Sequence, residues 1–410
     1  MKVLLYTPSA RIGGVEVWSF TFFFQLLKQK VDTTLFSGEA GTLVDCLSSE
    51  NKQSLVIGSF AELICYLEEN PVDIIHFPSQ AIDDGAGFIK KLFPNIKVIV
   101  TCHGAIPIGW SSTNCDQIIS LAKWLCNPSS RISGMNVPYI YNGIDFNKFN
   151  ASDNSENNNG KPVVLWVGRA DDEIKGLRVL TNIIDDIKEL GFNIWVITPS
   201  KRDELKDKSL QKIASKVDVW KSVEYQNIPK VFSTVANLNG VLLMTSKREG
   251  LGLVAIEAQA CGCPVIGPNH TGIQESVMDK TLLYNSDSEI LSLIQNLCLY
   301  SNSEVKRGRA LSSEVEKVFD LEKMTTLYIE YYRACLKNKL KALEKRERTL
   351  NENIRGVIAR VKYENYSFRK HIFINTQKVV KELKQKKLLV LSKTLKIQST
   401  MYLFLLQRRK

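Results

Sequence analysis

The stretch Ser246–Glu275, SKREGLGLVAIEAQACGCPVIGPNHTGIQE, limits the folds open to this chain more than any other. It follows Val241–Met244, an apolar run that reads as a buried strand. Glu249, Gly250, Leu251 and Gly252 come next, then a helical segment from Leu253 that carries Glu257. Pro264-Val-Ile is short and apolar enough to be the next strand. Strand, glycine-rich loop, helix and strand in this order make a βαβ unit and call for a parallel sheet. Glu249 falls on the loop leaving the first strand. Glu257 falls about two turns on at roughly 3.6 residues per turn. Both carboxylates can therefore look into one crevice at the carboxyl end of the sheet, where open α/β sheets bind ligands. Backbone N–H groups around Gly250 and Gly252 open the helix, a position that suits a phosphate or a sugar hydroxyl.

The alternation of strands and helices extends over most of the chain. In the first half, Lys2-Val-Leu-Leu-Tyr reads as a strand. It is followed by Gly13-Gly14-Val-Glu and an apolar-rich helix to about Lys30. Further strands are expected at Thr33–Phe36, Val72–Phe77, Lys97–Cys102 and Gln117–Ser120, and Val137–Tyr141 continues the series. Helices are expected at Phe60–Glu69, Gly87–Leu92 and Ala122–Cys126. His103 stands at the carboxyl end of the strand Lys97–Cys102, where a neutral imidazole can donate to a sugar or position a hydroxyl. His76 lies inside its own strand and reads as structural. Asn142-Gly143 is a turn dipeptide, followed by Asp145 and Phe149. Residues 151–161, ASDNSENNNGK, are polar and aperiodic and read as a linker.

The second half restarts with Pro162-Val-Val-Leu-Trp-Val, ending in Gly168-Arg169. Lys175-Gly176-Leu177 opens a helix expected to run to about Leu190. Cations at a strand end and at the start of the next helix suit a diphosphate, because they add to the positive end of the helix dipole. Asn193–Thr198, Val217–Trp220 and Thr281–Tyr284 are the remaining strands expected, with helices from Ile228 and over Ser288–Leu297.

Together these motifs resemble the retaining glycosyltransferases of the GT-B fold, glycosyltransferase family 4 (glycosyl transferases group 1) in particular. The resemblance rests on Gly13-Gly14-Val-Glu16, Asn142-Gly143-Ile-Asp145, Gly168-Arg169 with Lys175-Gly176, Glu249-Gly-Leu-Gly-Leu253 with Glu257, Gly262-Cys-Pro-Val-Ile, and Gly272-Ile-Gln-Glu275. Thr271 departs from the family, which usually has glycine there. The match covers roughly residues 1–335. It implies two Rossmann-like domains facing across a cleft. Residues 1–150 form the acceptor domain and residues 151–318 the nucleotide-sugar domain. A closing helix at 319–335 crosses back to the first, and a basic helical extension at 336–410 follows.

The resemblance also implies roles. Arg169 and Lys175 neutralise the diphosphate, Glu257 holds the ribose hydroxyls, and Glu249 lies by the donor sugar. The backbone of Gly250, Leu251, Gly252 and Leu253 binds sugar hydroxyls. Gly13, Gly14 and His103 close the site from the other domain, and Asn142, Gly143 and Asp145 form the hinge. His103, Arg169, Lys175 and Glu249 are then the catalytic set. The donor is a nucleotide-sugar and the acceptor a glycan or lipid-linked molecule, as in surface polysaccharide or glycolipid synthesis. No cofactor is expected. No metal is expected either, since no Asp-x-Asp stands at a strand end. A nucleotide-sugar epimerase, a phosphorylase and a non-catalytic scaffold of the same fold are the alternatives. Specificity is expected to lie in the loops Pro78–Gly87 and Ala105–Ser112.

Charge separates the tail from the body. The net charge is +11, yet Tyr331–Lys410 alone holds 22 Lys/Arg against 5 Asp/Glu, so the remainder is mildly acidic. Leu340, Leu343, Leu350, Ile354, Val357, Val361 and Phe368 recur at spacings that suit an amphipathic helix. Beyond His371, lysines alternate with Leu388–Leu391 and Tyr402–Leu406 and end in Arg408-Arg-Lys. This pattern suits an anionic membrane surface, contacted through residues 371–410, and no nucleic acid is expected. The chain opens directly on a strand, with no apolar leader, and its nine cysteines show no paired metal-type spacing. These features lead us to expect a cytoplasmic protein, peripheral on the inner face of a membrane. Each Lys or Arg near an anionic surface contributes ~1 kcal/mol. The full chain should therefore sediment with anionic liposomes at low salt, and a chain ending near Cys335 should not. Failure of the full chain to sediment would exclude membrane binding by the tail.

Overall fold

The computed structural model describes residues 1–11, 13–78, 83–105, 115–151, 160–170, 174–199, 214–299 and 304–337. The basic extension, most of the linker 151–161 and parts of both loops expected to set specificity lie outside the described residues.

The chain divides into two compact units. Among the described residues, the first holds those of Met1–Ser120 and Leu125–Tyr139 together with Leu327–Lys337. The second holds Leu121–Trp124 and Ile140–Thr326. Each unit contains one sheet of six parallel strands, so both are Rossmann-like. The first sheet comprises β1 (Lys2–Thr7), β2 (Asp32–Ser37), β3 (Leu55–Ile57), β4 (Ile74–Phe77), β5 (Lys97–Cys102) and β6 (Gln117–Ser120), in the order β3-β2-β1-β4-β5-β6. The second comprises β7 (Val163–Val167), β8 (Asn193–Ile197), β9 (Val219–Lys221), β10 (Val241–Leu243), β11 (Val265–Pro268) and β12 (Leu283–Tyr284), in the order β12-β11-β10-β7-β8-β9.

In both sheets the chain winds outward through three strands, then returns beside the first of them. The reversal falls between β1 and β4 in one unit and between β7 and β10 in the other. At such a switch point the loops leave the carboxyl edge in opposite directions and open a crevice.

The second sheet is buried on both faces, as a parallel sheet must be. Val163, Leu165, Leu242 and Val265 pack with Phe232, Ile256 and Phe319 on one side. Val164, Trp166, Leu243 and Ile266 pack with Leu180, Ile187 and Ile294 on the other. Alternate residues of β7 thus serve opposite cores, which is why Val-Val-Leu-Trp is apolar throughout.

In the first unit, one core joins Leu4, Ile75, Val98 and Val100 to Ile64 and Ile89. The helix Gly14–Lys28 buries Trp18, Phe22 and Leu26. His76 is fully buried on β4. Its Nδ1 lies 2.5 Å from the Tyr332 hydroxyl and its Nε2 lies 2.7 Å from Thr101 Oγ1. Thr101 Oγ1 also meets the Tyr328 hydroxyl at 3.2 Å. Burial, and then the nearby His103, pushes the His76 pKa down to about 3, so its ring is neutral. Tyr328 and Tyr332 come from the helix Leu321–Leu336, whose residues up to Thr326 belong to the second unit and those from Leu327 to the first.

Three elements differ from the sequence reading. The helix expected from Leu177 to Leu190 is two short helices, Leu177–Asn182 and Ile184–Glu189, joined at Ile183 with φ −115°. β3 is a three-residue edge strand, too short to show a periodicity. Val137–Tyr141 contributes one bridge, Tyr139 to Ser120, because Pro138 has no N–H to continue a ladder.

Asn142, Gly143 and Asp145 lie in the second unit, against the junction of two helices, Glu304–Phe319 and Leu321–Leu336. Ile144 accepts from and donates to this junction, through Leu321 N at 3.2 Å and Phe319 O at 2.9 Å. Asn142 is buried, and the exposed Asp145 caps its own turn by accepting from Asn147 N at 2.9 Å. A Cβ at Gly143 would lie 2.5 Å from Leu321 Cα and 2.8 Å from Asp320 O. Both obstacles are backbone, so neither can swing aside. Gly143→Ala should therefore destabilise the second unit by about 1–3 kcal/mol, the usual cost of overpacking. An unchanged urea midpoint would show that the close approach is absent.

Candidate functional site

Glu249 and Lys175 meet at the switch point between β7 and β10, because Lys175 follows β7 and Glu249 follows β10. Lys175 Nζ forms an ion pair with Glu249 Oε1. The same oxygen accepts from Ser246 Oγ at 3.0 Å. Both partners are mostly enclosed, with side chains 23% and 15% exposed. The two loops are fixed to each other before these side chains meet. Lys247 N donates to Ile174 O at 2.8 Å, and Thr245 Oγ1 donates to Lys175 O at 2.8 Å. Trp166 Nε1 in turn donates to Thr245 Oγ1 at 2.9 Å. Gly176 adopts φ +67° and leaves no room for a Cβ against the Thr245 carbonyl oxygen. That left-handed turn, which glycine alone takes without strain, caps the helix that starts at Leu177 and leaves Lys175 beside Glu249. Arg169 is exposed on the loop after β7, at the same edge of the sheet.

Gly250, Leu251 and Gly252 form the loop after Glu249, and the helix Leu253–Ala260 begins at once. Gly252 caps it in a left-handed conformation, φ +90°. The loop is held from behind. Gly272 N donates to Glu249 O at 3.1 Å, and a Cβ on Gly272 would strike Gly250 O. Thr271 Oγ1 accepts from Glu249 N at 3.3 Å, so the residue that departs from the family pattern ties down the loop instead. Trp124 Nε1 donates to Gly250 O at 2.8 Å. Glu275 accepts the backbone N–H groups of Lys123 at 2.8 Å and Trp124 at 2.6 Å.

Glu257 sits about one turn into the helix and is 6% exposed. Burial pushes its carboxyl up to about 7, although the Tyr225 hydrogen bond and the Lys148 charge both pull it down. Tyr225 donates its hydroxyl to Glu257 Oε1 at 2.9 Å. Lys148 Nζ stands 3.7 Å from the Tyr225 ring centroid and 5.4 Å from that of Phe149. Sequence reasoning missed Tyr225, Lys148, Ser246 and Trp124. Each lies far from the Glu249–Glu257 pair in sequence or carries a side chain common on any surface, so no local pattern marks it.

Residues 161–298, which hold all of this geometry except Lys123, Trp124, Lys148 and Phe149, match the family model described as Glycosyl transferases group 1. An uncharacterized 41.2 kDa protein in the cps region of Klebsiella pneumoniae is 27% identical over 339 residues, covering 73% of this chain and 87% of that protein. An uncharacterized glycosyltransferase of Methanocaldococcus jannaschii is 29% identical over 234 residues, covering 52% of this chain and 60% of that protein. Residues 161–298 are thus a group 1 glycosyltransferase domain. The fold of the chain is GT-B, shared with Anabaena HepE in complex with UDP and glucose. That structure aligns at a TM-score of 0.63 and 16% identity, covering 82% of this chain and 100% of that one.

The remaining candidate residues lie in the first unit. Gly13 caps the helix Gly14–Lys28 in an extended conformation, and Glu16 folds back over it where a Cβ would stand. Gly14 is exposed, with open space beside it. The His103 ring lies 4.3 Å from the Trp18 ring, and loss of solvent pushes its pKa down to about 3. It is therefore a neutral imidazole through the physiological range.

The raised pKa of Glu257 has a definite sign in stability. In the folded chain this carboxyl keeps its proton up to about pH 7, while the unfolded chain releases it near 4.5. Between those values the unfolded state binds fewer protons, so stability falls as pH rises from about 4.5 to about 7 and stays lower above that. Glu257→Gln removes this dependence. Relative to wild type, the variant should gain on the order of 3 kcal/mol between about pH 4 and about pH 8 in urea unfolding, at 1.36 kcal/mol per pKa unit. Parallel profiles for the two proteins would mean that Glu257 titrates normally.

Proposed function

We propose that the protein transfers a sugar from a nucleoside-diphosphate sugar to a glycan or lipid-linked acceptor, with retention of anomeric configuration, as a family 4 member. The observation that carries this reading is the Lys175–Glu249 pair at the switch point, with the buried Glu257 eight residues on in the same βαβ unit. A cation at that edge offsets charge growing on a departing diphosphate, and the exposed Arg169 adds a second. Glu249 is already held by Lys175 and Ser246, so it is oriented to accept from a donor-sugar hydroxyl. Backbone N–H groups of Gly250–Leu253 point out of the helix start toward the same ligand. Glu257, once ionised, accepts from the ribose hydroxyls. Gly13 and Gly14 bring backbone to the donor diphosphate, and the neutral His103 donates to the sugar or positions an acceptor hydroxyl. The departing diphosphate takes the acceptor's proton on the face it leaves, which yields retention without a protein nucleophile. Because Lys175 and Arg169 supply the positive charge, the reaction needs no metal.

The UDP and glucose held by HepE support a uridine donor, and the cps-region relative supports an acceptor in surface polysaccharide synthesis. The basic extension would hold the enzyme at an anionic membrane, beside a lipid-linked acceptor.

Lys175→Ala and Arg169→Ala should each lower turnover by roughly two to three decades, the size of losing one preorganised charge partner, with the fold intact by circular dichroism. Glu257→Ala should weaken nucleoside diphosphate binding but leave inorganic pyrophosphate unaffected. Near wild-type turnover in the Lys175 variant would remove the clamp from the mechanism. A scaffold would hydrolyse no nucleotide-sugar when acceptor is withheld, and an epimerase would release an isomerised donor with no transfer.

A further inference from the structure

Glu257, read above as the ribose-binding carboxylate, already has a hydrogen-bond partner. Glu257 is buried, and one of its oxygens receives the Tyr225 hydroxyl at 2.9 Å. Tyr225 is 41% exposed, so its ring stands at the surface while its hydroxyl reaches inward. It belongs to a single turn, Tyr225–Asn227, ahead of the helix Ile228–Asn237. A short turn of this kind, carrying no buried residue, is the sort of element that shifts at small cost. The ring is steadied by two neighbours. Phe149 tilts against it at 56° with centroids 5.9 Å apart, and Lys148 Nζ sits over its face at 3.7 Å. Lys148 is partly stripped of water there, and Glu257 and Asp145 supply its balancing negative charge. Aromatic ring, cation and carboxylate thus form one cluster in which each group satisfies the next.

We propose that Tyr225 is a latch that holds Glu257 through this hydrogen bond and yields it to the ribose hydroxyls of an incoming nucleotide. The inference rests on the reading of Glu257 as the ribose-binding carboxylate. The exchange is hydroxyl for hydroxyl. The phenol donates one hydrogen bond to Glu257, and a vicinal diol donates two. A ribonucleotide therefore gains only the surplus over what Tyr225 gave up. A 2′,3′-dideoxynucleotide has nothing to exchange, so it binds with the latch in place. Tyr225 consequently sets how strongly the site prefers ribose to its deoxy analogues, although it contributes no contact to the bound sugar.

This predicts a coupling of definite sign. Tyr225→Phe keeps the ring, the Phe149 contact and the Lys148 contact and removes only the competing donor. The variant should bind a ribonucleoside diphosphate roughly three- to tenfold more tightly, the size of one exchanged hydrogen bond, with no change for the dideoxy analogue. The experiment is isothermal titration of the full chain and of Tyr225→Phe at about pH 8, where Glu257 is ionised. The ligands are UDP, GDP and ADP, followed by the 2′,3′-dideoxy form of the tightest binder. Tyr225→Leu, which also removes the ring, should tighten the ribonucleotide in the same direction. Unchanged or weaker ribonucleotide binding in Tyr225→Phe would overturn the latch while leaving the reading of Glu257 standing. Equal tightening of both ligands would also overturn it, because the ring and not the diol would then be responsible. If none of the three ribonucleotides binds the wild-type chain, the reading of Glu257 falls and the latch falls with it.

Discussion

Two loops touch at the carboxyl ends of β7 and β10, and their contact is made by backbone. The Thr245 carbonyl occupies the space where any side chain at position 176 would begin, and Ile174 and Lys175 take hydrogen bonds from the opposing loop. A carbonyl and a missing Cβ cannot rotate away, so the spacing of the loops is set by hard contact. The ion pair of Lys175 with Glu249 is then a consequence of main-chain geometry. A flexible lysine held this way loses less on meeting a diphosphate than one free to wander, because its ordering has already occurred on folding.

The two carboxylates of the organising stretch live in different surroundings. Glu249 shares its charge with a cation and a hydroxyl. Glu257 is enclosed, and its nearest cation stands over a tyrosine ring. One stretch of sequence therefore presents a carboxylate already paired with a cation and another balanced near its ionisation point. The difference arises from what packs on each, since the residue type is the same.

Much of this was legible in the sequence, for identifiable reasons. Apolar strands separated by amphipathic helices leave a clear record, because burial on both faces of a parallel sheet favours near-continuous apolar runs. Glu249 and Glu257 were legible because the strand, glycine-rich loop and helix around them form a local pattern that places one on the loop and the other on the helix. Gly272 was legible as a motif, but its purpose was not, since contact with Gly250 depends on where two loops meet in space. Tyr225 and Lys148 left no trace. A tyrosine among Glu, Gln and Asn reads as a surface loop, and its bond to Glu257 joins residues from separate βα units. The broken helix after Gly176 was likewise hidden, since Leu177–Leu190 has a helical pattern and only the twist at Ile183 interrupts it.

Glu275 grips the chain at Lys123 and Trp124 through their amides alone. A carboxylate that binds main chain is blind to the side chains it passes. Position 123 can therefore drift through almost any residue except proline without loosening the grip. Position 275 has no such latitude: even aspartate, one methylene shorter, would fall short of both amides. The mutational tolerance of this contact is thus lopsided, concentrated at one end of a bond whose other end is open to change.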